Sequence, residues 1–128
     1  MTSGRQLALL WGVVALVLVL ASPLIAGWIP GLPGCPLKTL SGVPCPACGS
    51  GRAVVALSQG HWYQAFQWNP AASAFAALFV LGGLGFGMAA ARGVEPPGLS
   101  QELPNWTRWS LVGLLAANWA YVWWIAEV

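Results

Sequence analysis

Aspartate is absent from this chain of 128 residues, and histidine occurs once. The acids number three, Glu95, Glu102 and Glu127, against the basic Arg5, Lys38, Arg52, Arg92 and Arg108. Without Asp no Ser-His-Asp set can be assembled, and no glycine-rich phosphate loop carries the single lysine. Hydrolase and nucleotide chemistry are thereby disfavoured, and an enzyme is not the expected reading. The net charge of +2 is too scattered for a nucleic-acid stripe. Charged residues make up 6% of the chain, whereas a soluble domain carries roughly 25%. Such a surface cannot face water all round.

What the chain has instead is apolar residues, 58% of the total, in three long runs. Residues 7–29 carry no charge and, at 1.5 Å rise per residue, reach roughly 34 Å, enough for a hydrocarbon core of about 30 Å. Pro23 lies inside this run and Pro30 closes it. A cleaved signal peptide is the rival reading, with Arg5 as a minimal n-region, but the run exceeds the usual apolar length of about 7–15 residues. Residues 71–91 form the second run, opened by Asn69 as N-cap and Pro70 in the first turn. Its Gly83 and Gly87 have the small-xxx-small spacing that admits another helix, so a homo-oligomer or a membrane-protein partner is a candidate contact.

Residues 92–105 read as an exposed turn containing Pro96, Pro97, Gly98 and Pro104. Residues 106–126 form the third run. Trp106 and Trp109 at one end, with Tyr121, Trp123 and Trp124 at the other, match the two interfacial aromatic belts. Asn118 is the strongly polar side chain inside this span and is expected to hydrogen-bond to a neighbouring helix; transport is the alternative role. The positive-inside rule sets Arg5, Arg92 and Arg108 in the cytoplasm against Lys38 and Arg52 outside. It thus predicts a cytoplasmic N-terminus and an extracytoplasmic cysteine segment.

Residues 30–69 join the first two spans and hold all three cysteines, Cys35, Cys45 and Cys48. The stretch is too apolar for a water-soluble loop. A helix over residues 50–59 and a second helical turn over 61–68 are predicted, lying on the membrane surface or re-entering it. Cys45-Pro46-Ala47-Cys48-Gly49 has the spacing of a metal knuckle, in which two sulfurs converge and the glycine permits the turn. Cys35 is the candidate third ligand and His61 the fourth, giving a Cys3His set suited to zinc or another thiophilic ion. The same cysteines suit a membrane thiol–disulfide protein, with Arg52 favouring a thiolate, although no thioredoxin-like pattern surrounds them. A structural reading makes them a staple or small apolar packing in a scaffold subunit.

These residues resemble the bacterial domain of unknown function 2752 family of small membrane proteins. The resemblance rests on Cys35-Pro36, Ser41-Gly42, Pro44-Cys45-Pro46-Ala47-Cys48-Gly49, Arg52-Ala53, Gly60 and Asn69-Pro70. It covers about residues 34–85 and leaves out the last span. The family usually has Thr where this chain has Gly51, and Asp where it has His61. It implies a bacterial membrane protein, so the inner membrane is the expected location, and it implies no activity. The expected architecture is one all-α membrane domain over residues 1–128. Its three spans cover 7–29, 71–91 and 106–126, with the cysteine segment between the first two and the bilayer as partner.

Overall fold

A computed structural model describes residues 3–28, 35–95 and 104–127, with side chains as far as Ile125. Every element among them is helical. The helices are α1 (Ser3–Trp28), α2 (Pro36–Ser41), α3 (Ser50–Ser58), α4 (Trp62–Trp68), α5 (Pro70–Ala91) and α6 (Asn105–Glu127). Helices form at all three places where spans were expected. Two of them, α1 and α5, are long and apolar enough to cross a membrane. The cysteine segment contains three short helices, of which α3 and α4 follow the pattern read from sequence and α2 was not foreseen. Pro30 and the turn at Pro96, Pro97 and Gly98 lie outside the described residues.

The chain divides into two compact units. The first pairs α1, up to Ser22, with α5 from Phe75 onward. Its seam is made of small residues. A Cβ added to Gly12 would lie 2.8 Å from the Gly87 Cα, and one on Gly83 would lie 2.7 Å from the Ala15 Cβ. Ala8, Ala15 and Ala90 are buried alongside. In apolar surroundings helix association depends on such close backbone approach, because burying apolar side chains gains nothing over lipid. The glycine pair of α5 therefore meets α1 of the same chain. Trp11 fills the remaining space: its ring stacks on Phe86 at 5.8 Å, lies 5.7 Å from Phe79, and crosses Gly82 between them.

The end of α5 is sealed with equal care. Gly93, at φ +84°, permits a left-handed turn in which Gly93 N–H donates to the Ala90 carbonyl and Val94 N–H to that of Ala89. Arg5 Nε adds a third donor, 3.0 Å from the Ala90 carbonyl oxygen. A cation at a helix C-terminus is favoured by the exposed carbonyls there.

The second unit gathers the end of α1 from Pro23, the cysteine segment, the first turn of α5, and α6. Its core is the contact of α3 and α4, where Ala53, Ala56 and Ala65 are buried beneath Leu57 and Trp68. Gly60, at φ +77°, reverses the chain between them. Gly60 N–H donates to the Leu57 carbonyl and His61 N–H to the Ala56 carbonyl, the same sealed ending used by α5.

Candidate metal centre

The cysteine loop owes its shape to its prolines and glycines. Pro36 opens α2 behind Cys35, and Gly42, at φ +72°, ends it. Cys45 N–H then donates to Cys48 Sγ at 3.2 Å, and Cys48 N–H to the Cys45 carbonyl at 2.9 Å. Gly49 is required twice over. Its φ is +82°, and a Cβ there would lie 2.8 Å from the Trp68 carbonyl oxygen.

This loop brings the three cysteines together. Cys45 Sγ lies 3.3 Å from Cys35 Sγ and 3.4 Å from Cys48 Sγ, and all three sulfurs fall within 4.8 Å of one another. Tetrahedral thiolates 2.3 Å from a zinc ion stand about 3.8 Å apart, so these spacings need only small adjustment. All three cysteines are free and half-buried. The backbone N–H of Lys38 and then the Cys45 thiol stabilise a thiolate at Cys35, lowering its pKa to about 7. Burial, followed by the neighbouring thiols, raises that of Cys48 to about 11. A thiolate thus forms more readily at Cys35 than at Cys48. A bound cation would remove the proton from each.

His61 does not join the cluster. It is exposed and stands at the N-cap of α4, where its carbonyl accepts from Ala65 N–H and its side chain makes no capping bond. Asp is among the best residues for that position. An Asp at this position could cap α4 with its side chain, which His61 does not do. Arg52 is likewise exposed, with its guanidinium 4.7 Å over the Trp68 ring, a cation–π contact joining α3 to α4.

Asn69 and Pro70 have a larger part than opening a helix. Asn69 is 1% exposed, and its Nδ2 donates to the carbonyls of both Pro46 and Cys48 at 3.1 Å. Its Oδ1 accepts from Ala72 N–H. Asn118, reaching in from α6, accepts from Ala71 N–H at 3.0 Å and sets Nδ2 3.5 Å from the Pro46 carbonyl. Asn69 N–H bonds the Ala65 carbonyl, and Pro70 has no N–H to satisfy. The four orphan positions of the α5 N-terminus are therefore all accounted for.

Residues 44–48 are satisfied to the same degree. The Pro44 carbonyl accepts from Trp119 Nε1, those of Pro46 and Cys48 from Asn69, and those of Cys45 and Ala47 from Cys48 and Ser50 N–H. Tyr121 Oη reaches from α6 to the Gln67 carbonyl at the end of α4. Asn118 was legible in advance as a polar residue needing a helix partner. Nothing in the sequence tied it, or Trp119, to the cysteines.

Comparison with curated proteins and with solved structures returns no match. The model of the family described as protein of unknown function (DUF2752) matches residues 35–83, a span that holds the three cysteines, Gly49, Arg52, Asn69 and Pro70. Over that segment the chain is similar to the DUF2752 family.

Proposed function

We propose that this chain is a small helical membrane protein whose Cys35, Cys45 and Cys48 bind a thiophilic metal ion, zinc first among them. The observation that carries the reading is the convergence of three sulfurs within 4.8 Å on a loop with every carbonyl from Pro44 to Cys48 engaged. A fully satisfied loop holds its side chains in place before the ion arrives, which lowers the cost of binding. Zinc suits such a site because thiolates are its usual structural ligands and it demands no geometry beyond tetrahedral.

The membrane setting is part of the proposal. The apolar side chains of α1 and α5 are widely exposed, as are Leu111, Leu114 and Leu115 of α6. Lipid is the natural cover for all three helices, with α6 as a third span whose aromatic ends sit at the two interfaces. The N-terminus lies in the cytoplasm of a bacterial inner membrane, and the cysteine segment at the opposite face.

Thiol–disulfide exchange is the second reading, favoured by the close sulfur pairs and by the lowered pKa of Cys35. Metal content and free-thiol count, measured on protein purified in detergent without chelators, separate the two. The expected result is about one metal ion per chain, no disulfide, and loss of the ion in Cys48→Ser. Two missing thiols and no metal would transfer the site to redox chemistry. Three free thiols and no metal would leave a structural turn.

A further inference from the structure

The three sulfurs leave a tetrahedral ion one ligand short, and the described residues do not supply it. No His, Asp or Glu side chain among them joins the cluster. His61 faces solvent at the start of α4. Backbone oxygens are no better placed: each carbonyl from Pro44 to Cys48 already accepts a hydrogen bond, and that of Cys35 accepts from Thr39 N–H and Oγ1. The three cysteines are only half-buried, which leaves the cluster approachable. Structural zinc sites are closed by four protein ligands, whereas sites that act on something keep a position open.

We propose that the metal-loaded triad keeps such an open position and that it takes a small exogenous thiolate. This deepens the metal reading and rests on it. Three thiolates leave a dication with little remaining Lewis acidity and a preference for a soft fourth donor, so sulfur outcompetes carboxylate there. The entering thiol displaces a bound water and loses its proton to solvent, and the metal–sulfur bond holds it as thiolate at neutral pH. The function that follows is capture and activation of a low-molecular-weight thiol, with no change in oxidation state.

Cobalt(II) is the probe, loaded into the full chain in detergent, with 2-mercaptoethanol as the titrant. Sulfur-to-cobalt charge-transfer absorption should rise saturably by about one third as three cobalt–sulfur bonds become four. His61→Ala, Glu102→Gln and Glu127→Gln should each leave the starting spectrum and the rise unchanged. A spectrum unmoved by thiol, or starting absorption altered in any of those three variants, would show an internal fourth ligand and overturn the proposal. Absence of charge transfer before thiol is added would instead sink the metal reading itself, and this proposal with it.

Discussion

The two units hold their helices together by opposite means. Between α1 and α5 the contact is made by removing side chains: Gly12 meets Gly87, Ala15 meets Gly83, and the one large intruder, Trp11, fits a gap walled by Phe79 and Phe86. Around the cysteine loop it is made by adding polar ones, with Asn69, Asn118 and Trp119 spanning α5, α6 and the loop. Both answers suit surroundings that offer few hydrogen bonds. Regular helices satisfy their own backbone and need only close packing, whereas a loop of turns must borrow donors from elsewhere. The seam should therefore tolerate no added bulk and be indifferent to polarity. The loop should be the reverse.

The sharpest test of that contrast is Asn69→Leu, which keeps the branched shape and deletes three hydrogen bonds. It strands Ala72 N–H and the Cys48 carbonyl and leaves the Pro46 carbonyl only the 3.5 Å contact of Asn118, at a cost of about 3 kcal/mol in denaturant unfolding. Metal retention should fall with it. Full stability with full metal content would break the contrast.

Whether the polar network reaches the sulfurs can be read from alkylation of metal-free protein at pH 7. Cys35, at about 7, is roughly half thiolate there, while Cys48, at about 11, is ionised to about one part in ten thousand. The weaker nucleophilicity of the more acidic thiol returns about half of that gap on a logarithmic scale, leaving Cys35 about 100-fold faster. Raising pH should narrow the ratio as Cys48 begins to ionise. Equal rates would show that the backbone N–H of Lys38 does not act on Cys35.

On the other side, Gly87→Leu should cost about 1–3 kcal/mol by forcing α1 and α5 apart, with metal content unchanged. Loss of the ion in that variant would show that the units do not behave separately. The smallest expected effect is a gain. His61→Asp supplies the missing cap of α4 and should stabilise the protein by up to about 1 kcal/mol, leaving metal binding intact. Metal loss in His61→Asp would restore His61 to the ligand set.

Much of this architecture was legible from residue types alone. Apolar runs and a near absence of charge announce the long helices, since no other segment could bury so little polar surface. Asn69-Pro70 marks a helix start and Gly60 a helix stop, because each has a backbone requirement that few residues meet. The Cys-x-x-Cys spacing likewise announces a local site, as two sulfurs one turn apart must face each other.

Partnership between distant residues was not legible. Gly83 and Gly87 declare a close contact but not that Gly12 and Ala15 answer it, and Asn118 declares a need for a partner without naming one. His61 looked like a ligand by type, and only its placement at the α4 N-cap takes it out of the cluster. Local rules act within a turn or two of chain, so the sequence by itself determined the helices, their ends and the knuckle. Which faces meet, and which amides reach across some fifty or seventy residues to satisfy the loop, is decided by the competition of all buried polar groups for partners. That competition has an outcome only once the chain is folded.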